Sequence, residues 1–269
     1  MGLIVVSGAT GRLGGRVARL VGGAPRLLVR DPKRAPEGAD VAVADYADGA
    51  AVRRALDGAE TVLMVSAAET PDRVGQHRSF VDAARAAGVR QLVYTSFAGA
   101  SPDATFTLAR DHWHTEQHIR ESGLAFTFLR DNLYADFLPF MVGEDGVIRG
   151  PAGDGKAAVV AQDDIADAIV AVLRDPAPHA GKTYEMTGPE ALGLAEVAAI
   201  IGGSTTYYDE TLDEAYASRE RYQAPKWQVD AWVSTYTAIA AGELDRVSGD
   251  VETLTGHPAT SLQELLQAG

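Results

Sequence analysis

The sequence contains no cysteine. That excludes a disulfide framework, a thiol nucleophile and a thiolate metal site, and it suits a reducing compartment. Basic residues are also scarce: 24 lysines and arginines stand against 37 acidic residues, a formal charge of −13. A surface that negative repels nucleic-acid phosphates and anionic membranes unless a basic run offsets it, and no such run is present. No apolar run approaches the length of a membrane span. The first strand-like run begins at Leu3, which leaves no room for a signal peptide ahead of it. The expectation is a cytoplasmic protein that engages neither nucleic acid nor membrane. What is there suffices for a core. With 269 residues, 46% of them apolar, the chain fits one large domain or a core domain with a small lobe.

The most informative segment is Gly8-Ala9-Thr10-Gly11-Arg12-Leu13-Gly14. It follows the apolar run Leu3-Ile4-Val5-Val6 and precedes Val17-Ala18-Arg19-Leu20-Val21, which has helical spacing. Strand, glycine turn and helix in that order form the layout of a dinucleotide-binding unit. Gly8 and Gly11 let the backbone turn sharply beside a pyrophosphate, and Gly14 lets the helix close on the strand. The helix start then offers free N–H groups to the phosphates.

The first half alternates strand-like and helix-like segments. Strands are predicted at 3–7, 26–30, 40–44, 61–66, 91–95 and 125–129, and helices at 12–22, 49–57, 72–87 and 108–122. The strands are apolar on both faces, as strands covered by helices on both sides are. The pattern predicts an α/β fold: a Rossmann-type, doubly wound parallel sheet with a smaller α+β C-terminal lobe. Residues 1–135 make up the dinucleotide-binding domain, about 157–187 return to it, and 136–269 form mainly the substrate lobe. Residues 143–156 read as a hairpin or loop. A helix at 163–174 has Asp163 or Asp164 as N-cap, followed by a strand at 182–186 and helices at 193–201 and 228–241.

The ends of the strands nominate the cofactor contacts. After the second strand stands Arg30, followed by Asp31-Pro32-Lys33-Arg34. A guanidinium there suits a 2′-phosphate, with Lys33 as a second contact, and points to NADP(H). Asp31, one step on, keeps a ribose contact open. Asp45 and Tyr46 would lie near the adenine, although Asp45 reads equally well as a helix cap. Val65, Ser66 and Ala67 would border the ribose, and Thr95, Ser96 and Phe97 the nicotinamide.

Those segments resemble the NmrA-like, atypical short-chain dehydrogenase/reductase family. They are Ser7-Gly8-Ala9-Thr10-Gly11-Arg12-Leu13-Gly14, Val29-Arg30-Asp31-Pro32, Asp45-Tyr46 and Tyr94-Thr95-Ser96. His112-Trp113-His114-Thr115-Glu116, Phe126-Thr127-Phe128-Leu129-Arg130 and Gly153-Asp154-Gly155-Lys156 extend the likeness, which runs nearly end to end. The chain is most similar to the NAD(P)H:quinone oxidoreductase branch, which also holds triphenylmethane dye reductases. The resemblance implies a Rossmann domain, a small C-terminal lobe and a quinone-like small-molecule acceptor. A homodimer is one assembly open to it.

Most short-chain dehydrogenases use a Tyr-x-x-x-Lys pair to protonate a carbonyl oxygen and hold the ribose. Here Leu108 stands at the tyrosine position and His112 at the lysine position. The chain's one Tyr-x-x-x-Lys, Tyr222 to Lys226, has Pro225 inside it and cannot be a regular helix. Classical ketone reduction is therefore not expected. A quinone accepts hydride without that pair. His112 then holds the ribose or supplies a proton near neutrality. Tyr134 is the second catalytic candidate. Asn132 after the sixth strand belongs to the cofactor set, and Tyr134 and Phe137 would stack on a planar ring, although core packing accounts for Phe137 equally well. His114 points to another helix face. Gln76 and His77 could face the cleft, although they read more readily as a solvated helix start. No metal is expected. Two readings follow: an NADPH-dependent oxidoreductase acting on a quinone or similar conjugated acceptor, and a non-catalytic NADP(H)-binding redox sensor of the NmrA type.

Overall fold

The computed structural model describes residues 2–268. Its elements run β1 (Leu3–Ser7), α1 (Arg12–Leu20), β2 (Arg26–Val29), β3 (Val41–Val43), α2 (Gly49–Ala55), β4 (Ala59–Met64), α3 (Arg73–Ala86), β5 (Gln91–Phe97), α4 (Thr107–Ser122) and β6 (Ala125–Asp131). After these come β7 (Val147–Gly150), β8 (Lys156–Ala157), α5 (Gln162–Arg174), β9 (Lys182–Met186), β10 (Leu192–Gly193), α6 (Leu194–Ile201) and β11 (Thr206–Asp209). Four helices close the described chain: α7 (Leu212–Arg219), α8 (Lys226–Ala240), α9 (Asp250–Thr255) and α10 (Leu262–Ala268).

The main sheet has seven strands in the order β3-β2-β1-β4-β5-β6-β9. The β1–β2, β2–β3, β1–β4 and β4–β5 ladders are parallel. The chain leaves β1 toward β2 and β3 on one side, then returns to lay β4 on the other. That reversal makes the carboxyl end of β1 the topological switch point, where open α/β sheets take their ligands. The strands buried on both faces are those whose sequences carry unbroken apolar runs: Val5, Val6, Val62, Leu63, Leu92 and Val93 have no exposed surface.

The chain divides into two compact units. One takes the chain up to Ser96 with Asp111–Arg130 and Ile165–Tyr184; the other takes Phe97–Arg110, Asp131–Asp164 and the chain from Glu185 on. The core of the first packs Val5, Leu28, Val62, Met64, Phe80, Leu92, Tyr94, Ile119 and Phe128 together. The second has its own core, which includes Phe106, Leu138, Ile148, Val159, Leu194 and Ile239.

Some local expectations change. The 143–156 segment does close a tight turn, with the Gly143 N–H on the Val147 carbonyl at 3.0 Å. However, β7 pairs in parallel with β11 and β8 antiparallel with β10, partners distant in sequence. Helix α5 starts at Gln162, so Asp163 and Asp164 lie inside its first turn rather than capping it. Asp164 instead accepts from the N–H and hydroxyl of Thr260 at 2.7 and 2.9 Å. Tyr222 sits in a short 3₁₀ turn and Pro225 caps α8, so the Tyr222–Lys226 spacing is not helical.

Candidate functional site

The glycine turn is tight and leaves the start of α1 uncapped. Gly8 has φ +61°, a conformation side chains avoid. A Cβ on Gly14 would lie 2.4 Å from the Gly8 carbonyl oxygen, so only glycine lets α1 approach this closely. Gly11 is the N-cap of α1 with no side-chain cap, and the first turn holds no acid. The first-turn N–H groups are thus left for a ligand, and the helix dipole adds positive potential there. Thr10 and the exposed Arg12 flank that helix start, while Leu13 is buried beneath it.

The basic turn after β2 faces the same loop. Arg30 and Lys33 are exposed. Arg34, which sequence reading passed over, donates through Nη2 to the Thr10 carbonyl at 3.2 Å. Asp31 accepts the Lys33 N–H at 3.0 Å and so caps the Pro32–Arg34 turn. Asp45 likewise accepts the Ala47 N–H at 2.9 Å, and Asp48, not Asp45, caps α2.

Val65, Ser66 and Ala67 follow β4 and are held by side chains from four other segments. Ser7 Oγ accepts the Val65 N–H at 3.0 Å, and the Tyr46 hydroxyl donates to the Val65 carbonyl at 2.8 Å. Burial holds the Tyr46 hydroxyl well above the usual phenol range. Thr95 Oγ1 accepts the Ser66 N–H at 2.9 Å. His77 Nε2 accepts the Ala67 N–H, also at 2.9 Å, and Arg73 Nε donates to the Ala67 carbonyl at the same distance. A backbone strip with its polar groups engaged this way is held rigidly.

Beneath that strip lies a buried network. His77 is fully buried, which corrects the solvated helix start expected for it. Because its Nε2 accepts from Ala67, its proton sits on Nδ1, which donates to Thr115 Oγ1 at 2.8 Å. Burial, reinforced by Arg73, pushes its pKa down to about 3. His112 is buried in the same way. Arg73 Nη2 can only donate, so His112 Nε2 accepts it at 3.0 Å, and Nδ1–H faces the Tyr94 hydroxyl at 2.9 Å. Burial first, then the Arg73 charge, hold the ring well below its usual pKa. The expectation of a histidine that titrates near neutrality is corrected on that ground. Arg73 itself is 5% exposed, and its Nη1 has no hydrogen-bond partner. The Asp111 carboxylate stands 3.6 Å from it.

At the end of β5, Ser96 donates to Glu116 Oε1 at 2.6 Å. Glu116 is fully buried and takes Arg130 through both oxygens at 2.8 Å, with Arg120 on Oε2 at 3.1 Å. Ser96 is thereby oriented by a charge that is already neutralised. Phe97, next along, packs edge-on against Phe106 at 4.9 Å.

In the second unit, the Asn132 amide is spent on its own surroundings: Nδ2 donates to the Leu244 carbonyl and Oδ1 accepts the Leu133 N–H. The Tyr134 hydroxyl donates to Asp131 Oδ2 at 2.9 Å. Asp131 is 2% exposed, and its Oδ1 has no partner. Burial raises its pKa to about 8 despite the tyrosine bond. Phe137 lies 5.8 Å from the Tyr134 ring and, like Phe140, is exposed. Among the described residues no cluster of His, Asp and Glu suits a metal. His114 is exposed, as its place on the helix implies.

A family model described as NAD(P)H-binding matches residues 8–176. Quinone oxidoreductase 2 of Escherichia coli (strain K12) is 34% identical over 279 residues, spanning 97% of this chain and 96% of that protein. The NAD(P)H azoreductase of Xenophilus azovorans is 31% identical over 280 residues, spanning 99% and 97%. Among solved structures, the NADPH-dependent quinone oxidoreductase of Escherichia coli complexed with NADPH matches with a TM-score of 0.90 at 33% identity, and 99% of each chain is covered.

Proposed function

The chain belongs to the NAD(P)H-binding NmrA-like family, and on that premise we propose that it is an NADPH-dependent oxidoreductase that passes hydride to a quinone or a similar conjugated acceptor. The observation that carries this reading is likeness over the whole chain, not the cofactor domain alone, to a quinone oxidoreductase and an azoreductase. A sensor that binds the dinucleotide without chemistry has less support, because those relatives are reductases.

The residues present fit the cofactor. The uncapped α1 start and the Gly8–Gly14 turn would take the pyrophosphate. Arg30 and Lys33, with Arg34 alongside, would take a 2′-phosphate and favour NADPH over NADH. The pinned Val65–Ala67 strip and Thr95–Ser96 would border the ribose and nicotinamide. When bound, the reduced nicotinamide supplies the hydride. His112 acts by position: it is neutral, and it ties Tyr94 to Arg73. Tyr134 is proposed to offer its ring to the acceptor, since its hydroxyl proton is directed at Asp131 Oδ2. Leu108 has no acidic proton, so an unactivated ketone gains nothing from this helix.

No helix among the described residues is long and apolar enough to cross a membrane. A cytoplasmic location belongs to the same proposal and rests on the absence of cysteine. Steady-state assay of the purified protein with NADPH against a panel of quinones, azo dyes and simple ketones tests the reading. Turnover of the conjugated acceptors with inert ketones is expected. Efficient ketone reduction would overturn the dyad-free mechanism, and NADPH binding without any turnover would favour the sensor.

A further inference from the structure

The strand ends of the first unit contain a buried cation, Arg73, whose carboxylate partner Asp111 stands 3.6 Å away. Arg73 lies between the Ala67 carbonyl, which it binds through Nε at 2.9 Å, and His112, which it binds through Nη2 at 3.0 Å. It therefore sits between the strip after β4 and the end of β5, where His112 holds Tyr94. The same group of side chains holds two further guanidiniums, Arg120 and Arg130, and two carboxylates, Glu116 and Asp111. Glu116 is consumed by Arg120 and Arg130. His77 and His112 are both neutral, because each accepts a hydrogen bond at Nε2. Among the described residues Asp111 remains for Arg73, at 3.6 Å and without a hydrogen bond to its Nη1. Burial also disfavours the ionised form of Asp111, although Arg73 opposes this.

We propose that Arg73 makes the site discriminate between the redox states of its cofactor, favouring NADPH over NADP⁺. The two dinucleotides differ at the ring: the oxidised nicotinamide carries a positive charge and the reduced one does not. A fixed, buried guanidinium near that end repels the oxidised ring and leaves the reduced ring untouched, and low local polarity strengthens the effect. Arginine stays charged throughout the working pH range, so the bias is permanent. Its consequence is favoured loading of the reductant and assisted release of the oxidised product. The proposal rests on the cofactor reading above and assigns Arg73 a positioning and electrostatic role.

The test is titration of NADPH, NADP⁺ and 2′,5′-ADP, each followed by calorimetry, into wild type and the variants Arg73→Gln, Arg73→Lys and Asp111→Asn. Wild type should bind NADPH more tightly than NADP⁺. Arg73→Gln should shrink that ratio roughly fivefold, the scale of one partly screened charge. Arg73→Lys should keep most of the ratio. Asp111→Asn removes the counterion and should enlarge it. Affinity for 2′,5′-ADP, which lacks the nicotinamide ribose, should stay constant across the set. Equal wild-type affinities for NADPH and NADP⁺, a ratio unmoved in Arg73→Gln, or a loss of affinity shared equally by all three ligands would overturn the proposal. Failure of wild type to bind any of the three would instead overturn the cofactor reading.

Discussion

The Ala67 N–H points at Nε2 of His77 from 2.9 Å. That one bond fixes a buried imidazole in its neutral form and fixes the strip after β4 in turn. Protonating the ring would replace an acceptor with a donor facing a donor. The folded pKa of about 3 lies below the ordinary histidine value, so the native state binds fewer protons than the unfolded chain between those two values. Stability is thus fully present above about pH 6.5 and is lost as pH falls toward 3. His77→Gln should flatten the acid limb of the stability curve, by up to about 1.4 kcal/mol per pH unit. Urea unfolding of both proteins from pH 7 to pH 4 checks this. Parallel curves would contradict it.

Arg30 should set cofactor preference. Arg30→Ala is expected to narrow the NADPH-over-NADH gap by about 1–3 kcal/mol, the scale of a charge-assisted hydrogen bond. Titrating both cofactors into both proteins measures it. Because Arg34 reaches the same loop through the Thr10 carbonyl, the double variant should lose more than Arg30→Ala alone.

Two glycines in the turn should fail differently. A Cβ at Gly14 meets the Gly8 carbonyl oxygen and carbon at 2.4 and 2.7 Å, and backbone cannot step aside. Gly14→Ala should therefore cost about 1–3 kcal/mol of stability as an overpacking change. At Gly11 the nearest atom to a Cβ is 3.2 Å away. Gly11→Val should keep its circular dichroism spectrum while NADPH binding is abolished. Retained binding would show that the turn is structural only.

Much of the cofactor half was legible because its signals are local. The run from Gly8 to Gly14 and the apolar strands each declare themselves within a few residues. The network under the strip was not legible. A histidine in the first turns of a helix reads as solvated, Arg73 carried no signal in the sequence, and only the docking of α3 buries them both. The pairings of β7 with β11 and of β8 with β10 escaped for a similar reason, since they join segments more than 30 residues apart. His112 stood out in the sequence, but its neutral state did not: burial and Arg73, a partner nearly 40 positions away, hold the ring neutral.

Asp131 should titrate in the working range. Its folded pKa of about 8 is far above the carboxylate value of 3.8, so the native state holds a proton that the unfolded chain has released. Stability should fall as pH rises between those values and level off above them, by up to about 1.4 kcal/mol per unit. Asp131→Asn should remove the slope and gain on wild type at pH 8. Thermal melts of both proteins across pH 5 to 9 decide it.

The proposed reaction is hydride transfer to a conjugated acceptor without a tyrosine–lysine pair. Its most direct test is a single turnover: protein loaded with one equivalent of NADPH, mixed without oxygen with 1,4-naphthoquinone, and followed at 340 nm. The expected result is complete oxidation in one phase, slowed when the transferred hydrogen is deuterium, with no reaction when acetone replaces the quinone. Bound NADPH that persists unchanged in the presence of quinones would contradict the claim.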